Sequence, residues 1–437
     1  MTELSTLAGR RTDRRSLIKA GGALAAAGAL TSFTFGIRTA GAQDTVTVTM
    51  WGNHPEWTEP LEGIIAAFQE ANPGIEIDFS ATPGDQYGAK IQTAIQGGET
   101  SDIFGDLEGN IIVRVQDGGE LPFIDLTGKV DVSNLTDSAR GQVEVDGVVY
   151  GCPLAAYTVG LAINNTVFAE AGVTPPTTWE ELTATAQALK DAGVEAPIVL
   201  GAKDWVHPYF MYIGLTSSVL RPEGIQGVRE GTRVLNDAEA VTATQLLLDL
   251  VPFYNAGFEA TDYTTAKAIF ANGQGAMMVA GTADYTGYYQ VNPDADLSFV
   301  AWPGPVADST CTTTGFELLY TASAFSDPEK QDAAAVFVNW LAGDEAQQLV
   351  MDSIALSVSK NITESTDPIR TQTATAIQGG DVPVWYAVPE LNGSVLVTQD
   401  NHGGLWTGRI SAQEFCDLQQ AAVKPSGAGA DTGTPAA

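Results

Sequence analysis

The strongest constraint on this chain's fold is a change of apolar period within residues 45–79. Thr45-Val46-Thr47-Val48-Thr49-Met50 alternates with the period of two of a half-buried strand, and Trp51-Gly52-Asn53-His54-Pro55 breaks it. Leu61, Ile64, Ile65 and Phe68 then recur at i, i+3, i+4 and i+7, one face of a helix. Asn72-Pro73-Gly74 stops that helix, and Ile75, Ile77 and Phe79 alternate again. Parallel strands need a crossover of this kind, so the segment predicts an α/β sheet with binding loops at the carboxyl ends of its strands. The loop from Asn53 to Trp57 is one of them.

Similar signals continue downstream. Val143-Glu144-Val145-Asp146-Gly147-Val148-Val149-Tyr150 predicts a hairpin whose Asp-Gly supplies the positive φ of a tight turn. Cys152-Pro153-Leu154 leads into the apolar run Gly160-Leu161-Ala162-Ile163. Thr178 and Glu181 form a capping box for a helix with the apolar face Leu182, Ala186 and Leu189, and Ile198-Val199-Leu200 follows as a strand. Lys267-Ala268-Ile269-Phe270 ends a helix before Asn272-Gly273-Gln274-Gly275 and the strand Ala276-Met277-Met278-Val279-Ala280. Asp327-Pro328-Glu329 opens another helix, with Phe337, Trp340 and Leu341 as its stripe. The last residues, 425–437, are Pro, Gly, Ala and Thr-rich and predict a disordered tail.

A chain of 437 residues with 44% hydrophobic and 17% charged residues has material for two cores rather than one. It carries 21 Lys and Arg against 53 Asp and Glu, a net charge of −32. Residues 1–42 hold six of the cations (Arg10, Arg11, Arg14, Arg15, Lys19, Arg38) and two of the anions (Glu3, Asp13), which leaves 15 against 51, or −36, for the rest. Such a surface repels phosphate, which excludes nucleic-acid binding and disfavours anionic lipid. Acidity spread along the whole chain reads first as solubility; an acidic site for a cationic ligand is the functional alternative.

The N-terminus resembles a twin-arginine export signal. Arg14-Arg15-Ser16-Leu17-Ile18-Lys19 precedes a weakly apolar stretch from Ala20 to Leu30, and Ala40-Gly41-Ala42 offers a small-x-small cleavage site. The mature protein is expected to start near Gln43, in the periplasm or at the extracellular face. Cys152, Cys311 and Cys416 allow at most one bridge, with all three pairings open.

His-Glu-x-x-His, Gly-x-Ser-x-Gly, the phosphate-binding Gly-x4-Gly-Lys and the dinucleotide Gly-x-Gly-x-x-Gly are all absent, and His54, His207 and His402 are the only histidines. No metal or cofactor is implied. The order of elements instead resembles the extracellular solute-binding proteins of ABC importers, specifically the carbohydrate-binding type related to maltose-binding protein. Its most specific stretch runs from Gly160 through Ile163-Asn164 to Gly172 and on into Pro175-Pro176-Thr177-Thr178-Trp179-Glu180-Glu181-Leu182; the family usually has Tyr-Asn where Ile163-Asn164 stands. Phe270-Ala271-Asn272-Gly273-Gln274-Gly275-Ala276-Met277 is similar to the family's Phe-x-x-Gly-x-x-Ala-Met. The resemblance implies a type II two-lobe periplasmic-binding-protein fold: residues 43–153 with 312–360 in one lobe, and 154–311 with 361–424 in the other. The lobes would be joined by crossovers near 152–154 and 305–312, and hinge closure over the ligand would present both to the ABC permease. A monomer is expected.

A sugar offers apolar CH faces and a rim of hydroxyls, so its site needs flat aromatics and Asp, Glu, Asn or Gln in loops that follow strands. Asn53, His54, Glu56 and Trp57 follow the first strand; Asp106 and Glu108 follow Asp102-Ile103-Phe104, where the family often has ligand carboxylates. Tyr157 lies past the first crossover, and Trp205 and Tyr209 follow the Leu200 strand, with His207 at a position where the family has an acid. Asp284 and Tyr285 come just after Ala283, which stands where the family commonly has a stacking Trp. Gly315, Phe316 and Glu317 at the return crossover, with Trp385 and Trp406 near the end, complete the set. The expected function is capture of a sugar or oligosaccharide without catalysis. A polyamine receptor using Glu56, Asp106, Glu108 and Asp284 is the alternative on the same scaffold, and a secreted carbohydrate-active enzyme is the alternative of another class.

Overall fold

The opening crossover forms as its periodicity requires. In the computed structural model, β1 (Val46–Gly52) and β2 (Ile75–Ala81) run parallel, with Val46 opposite Ile75 and Gly52 opposite Ala81. The intervening helix, Thr58–Ala71, buries Leu61, Ile64, Ile65 and Phe68. Asn72 ends it, its side-chain amide donating to the Phe68 carbonyl. The structure describes residues 45–304, 312–377, 381–383, 385 and 388–425. The export signal with its cleavage site, Cys311, nearly all of the 305–312 crossover and the tail past Pro425 lie outside the described residues.

β3 (Ile103–Asp106) lies on the other edge of β1, also parallel. The hairpin of β4 (Glu144–Val145) and β5 (Val148–Val149) is shorter than its signal, because Val143 belongs to the preceding helix, Asp137–Val143. Asp146 (φ 53°) and Gly147 (φ 81°) make its turn. Then come β6 (Cys152–Asn164), β7 (Ala196–Val199), β8 (Gly275–Gly281), β9 (Leu297–Ala301), β10 (Thr312–Ala322) and β11 (Asp381–Pro383). The sheet runs β2-β1-β3-β10-β6-β8-β7, with β9 also paired to β6 and β11 to β10.

β6 is buried along all its residues, as expected for a strand covered on both faces. It pairs antiparallel with β10 from Val159 opposite Thr313 to Cys152 opposite Tyr320. Side chains of β6 up to Ala156, and of β10 from Phe316 onward, join a core with β1, β3 and the helices Thr58–Ala71, Pro328–Leu341 and Asp344–Ser353. From Tyr157 onward β6 joins a second core, built on the helices Trp179–Asp191, Val206–Glu230, Ala238–Asp249 and Ala412–Ala422. Ala156 faces Phe316 and Tyr157 faces Gly315 in register, so the two strands change cores at one level. Cys152 and Cys416 are buried, unbridged thiols. Among the described residues no helix is long and apolar enough to cross a membrane.

Candidate functional site

A cavity of about 630 Å³, within the range of small-molecule sites of roughly 300–1,000 Å³, opens where the two cores meet. Its walls are the loops at the carboxyl ends of parallel strands, where the sheet leaves backbone and side chains free of packing. The first wall carries Asn53, His54 and Glu56 after β1, with Pro83 and Gly84 after β2. The second carries Asp204, Trp205 and Phe210 after β7, Asp262, Tyr263 and Lys267 at the start of the helix Tyr263–Ala271, and Ala283 and Asp284 after β8. Tyr157 and Glu317 come from the two crossing strands.

Two charge clusters face this cavity. On the first wall, His54 Nδ1 lies 3.2 Å from Glu56 and Nε2 lies 3.1 Å from Glu317. The ring stacks on buried Trp57 at 3.9 Å between centroids, with 27° between planes. Burial opposes the imidazolium, but the two carboxylates outweigh it and raise the His54 pKa to about 9; Glu56 is lowered to about 2 by the same contact against its own burial. Glu317 reaches His54 beside a break in β10, where Leu318 adopts φ 38° and the regular alternation of the strand is lost. On the second wall, Asp284 accepts from the Tyr263 hydroxyl, from Lys267 Nζ (3.4 Å) and from the Gly281 amide (3.1 Å). Lys267 sits over the Tyr263 ring, 4.5 Å from its centroid. Gln290, beyond the second wall, donates to the Glu56 carbonyl at 2.9 Å and so ties the two walls together.

The structure brings seven of the sequence-predicted residues to this cavity: Asn53, His54, Glu56, Tyr157, Trp205, Asp284 and Glu317. Two stand directly behind it. Trp57 lies under the His54 ring, and Glu108 accepts from the Tyr157 hydroxyl at 3.4 Å. The others lie elsewhere. Asp106 is fully buried in an ion pair with Arg114 at 2.7 Å. Tyr209 is packed behind Trp205 and Phe210, within the first turns of the helix Val206–Glu230 rather than in a loop. That helix starts early because Pro208 falls in its first turn, where a missing amide proton is harmless. Tyr285 donates its hydroxyl to the Ser298 carbonyl, Trp385 donates its indole N–H to Ser217, and Trp406 is buried in the second core. Gly315 touches Tyr157 rather than the cavity, and Phe316 lines a smaller cavity together with Thr314, Arg229 and Gln142.

Asp204, Phe210, Asp262, Tyr263 and Lys267 are cavity residues that sequence reasoning did not single out. One signal was available. Asp262 caps the helix through the Thr265 amide at 2.8 Å, and a helix begun there sets Tyr263 and Lys267 at i and i+4 on one face. Among the described residues no group of three or more His, Cys, Asp or Glu side chains could hold a metal.

From residue 51 to 348 the sequence matches the family described as bacterial extracellular solute-binding protein. The chain belongs to that family. This solute-binding protein is 25% identical over 324 residues to the multiple sugar-binding protein of Streptococcus mutans, covering 71% of this chain and 74% of the relative. It is also 25% identical over 314 residues to the putative ABC transporter periplasmic-binding protein YcjN of Escherichia coli, covering 69% and 70%. Among solved structures it is similar to a chitin oligosaccharide binding protein (TM-score 0.74, 19% identity, 87% of this chain and 98% of the other). It is likewise similar to the solute-binding protein RafE in complex with raffinose (TM-score 0.72, 18% identity, 86% and 98%). The fold is the type II two-lobe periplasmic-binding-protein fold. Membership of an extracellular family puts the protein outside the cytoplasmic membrane, in the periplasm or at the cell surface.

Proposed function

We propose that this solute-binding protein captures a sugar or oligosaccharide between its lobes and delivers it to the membrane subunits of an ABC importer. The observation that carries the reading is the cavity itself, which sets the aromatic rings of Trp205, Tyr263, Phe210 and Tyr157 among side chains rich in hydrogen-bond acceptors. Aromatic faces suit the CH faces of a pyranose, and carboxylates suit its hydroxyls. The names of the relatives point the same way. Tyr157 and Gly315, where both strands change cores, are the natural hinge, and 45–156 with 316–358 against 157–302 with 385–423 are the lobes we assign to it.

Glu56 and Glu317 flank His54 and Asp284 is paired with Lys267, so three of the cavity carboxylates already face a basic group of the protein, which disfavours a polyamine as ligand. It equally disfavours glycoside hydrolysis, which needs one carboxyl to protonate a leaving group and a second to attack or to activate water. On this reading the protein is a receptor without turnover; the family resemblance supports a monomer, and Arg14-Arg15 with the apolar stretch after it supports export through the twin-arginine route by residues 1–42. Export of a reporter fused to residues 1–43 is expected to stop when Arg14 and Arg15 become Lys.

The test of the ligand class is a thermal-shift series with raffinose, maltotriose, chitotriose, spermidine and amino acids, since a ligand of the folded state raises the melting temperature by mass action. A neutral saccharide should raise it and change the tryptophan fluorescence, and Trp205→Ala should remove most of both effects. Shifts with spermidine alone would overturn the sugar reading.

A further inference from the structure

The His54 cluster says more about the ligand than that it is a sugar. A neutral imidazole has one N–H and one lone pair, so it can satisfy only one of two carboxylates placed at its two nitrogens. His54 has Glu56 at Nδ1 and Glu317 at Nε2, both within hydrogen-bond distance, so with both carboxylates ionised it carries both protons. Its third side is closed by Trp57, whose face suits a cation. We propose that His54 is the built-in counterion of the cleft: it fills the diacid position of Glu56 and Glu317 that an ammonium group would otherwise take, and so restricts the site to uncharged polyhydroxyl ligands.

The rest of the cavity agrees. With both His54 protons committed, Glu56 and Glu317 keep their second oxygens as acceptors, and Asn53 Oδ1, buried in the same wall, has no hydrogen-bond partner among the described residues. An acceptor-rich wall recognises hydroxyl donors. The charged groups flanking His54 are Glu56 and Glu317; across the cavity Lys267 is paired with Asp284, Asp262 lies 3.8 Å from Lys203, and Asp204 accepts from the Tyr263 amide. The cations beside Glu56, Glu317 and Asp284 are therefore supplied by the protein. The raised pKa of His54, about 9, keeps the ring charged at neutral pH.

The inference rests on the sugar reading of the cleft, and the experiment separates the two. The chain has three histidines, so the imidazole NMR signals of the purified protein can be assigned with His54→Gln. His54 is expected to show imidazolium shifts through pH 8 and to titrate near pH 9; titration below pH 7 would overturn the proposal. By calorimetry, wild type should bind one of raffinose, maltotriose or chitotriose and ignore spermidine. His54→Gln should weaken the saccharide about tenfold or more and bind spermidine at least about tenfold tighter than wild type does. If wild type binds a saccharide while His54→Gln leaves both affinities unchanged, the counterion role is wrong and the sugar reading stands. If wild type binds no saccharide and His54→Gln gains spermidine, the counterion role stands and the sugar reading fails. Glu317→Gln serves as a second variant should His54→Gln not fold: its His54 titration must move down from that of wild type, and an unmoved titration would also refute the proposal.

Discussion

Gly315→Ala tests the level at which the strands change cores. Gly315 faces Tyr157 across the β10–β6 pair, and a Cβ built on it would lie 2.2 Å from Tyr157 Cζ, 2.3 Å from the hydroxyl and 2.6 Å from Cε1. Carbon atoms pack best at about 3.5–4.0 Å, so the ring must retreat by roughly 1 Å or more. Phe210 stands beside it at 6.1 Å between centroids, Gly281 lies along its other edge, and its hydroxyl donates to Glu108. The open side is the cavity. Forcing a buried ring off its site typically costs about 1–3 kcal/mol, and here it also pushes the ring into the ligand's space. Gly63→Ala is the control: Gly63 is exposed in mid-helix, a Cβ there meets nothing within 4 Å, and alanine should stabilise by about 0.5–1 kcal/mol. Urea unfolding should put the midpoint of Gly315→Ala below wild type and that of Gly63→Ala above it, with saccharide affinity lowered only in the first. A Gly315→Ala midpoint and affinity equal to wild type would show that the ring is not held against the glycine, and the hinge assignment would lose its main support.

The His54–Glu56 pair also predicts how stability depends on pH. The His54 pKa is raised from 6.5 to about 9, so its contribution is complete below pH 6.5 and is lost as pH rises through about 9; that of Glu56 is lowered from 4.5 to about 2, so its contribution is complete above pH 4.5 and is lost as pH falls through about 2. Each limb is worth at most about 3 kcal/mol, less after screening by solvent at these part-exposed side chains. Urea midpoints measured from pH 5 to 10 should fall between about pH 6.5 and 9 in wild type and much less in His54→Gln; parallel curves would refute the pairing. Thr178→Ala removes the acceptor for the Glu181 amide and half of a capping box, and should cost about 1 kcal/mol in urea unfolding without changing ligand affinity, since the helix Trp179–Asp191 is remote from the cavity.

What the sequence by itself determined is local. The β-α-β opening, the Asp146-Gly147 turn, the Thr178–Glu181 box and the loop carrying Asn53, His54 and Glu56 each depend on residues within a few turns of one another, so periodicity and turn chemistry reveal them. The charge of His54 does not, because its second carboxylate, Glu317, is 263 residues away. Nor could spacing say that Trp205 faces the cavity while Tyr209, Trp385 and Trp406 serve the core. An aromatic side chain suits either place, and only the packing of helices around the second core decides which rings are left uncovered. The sequence supplied the loops; tertiary structure decided which of their side chains meet across the cleft, because burial and ion pairing there join segments that the chain itself keeps far apart.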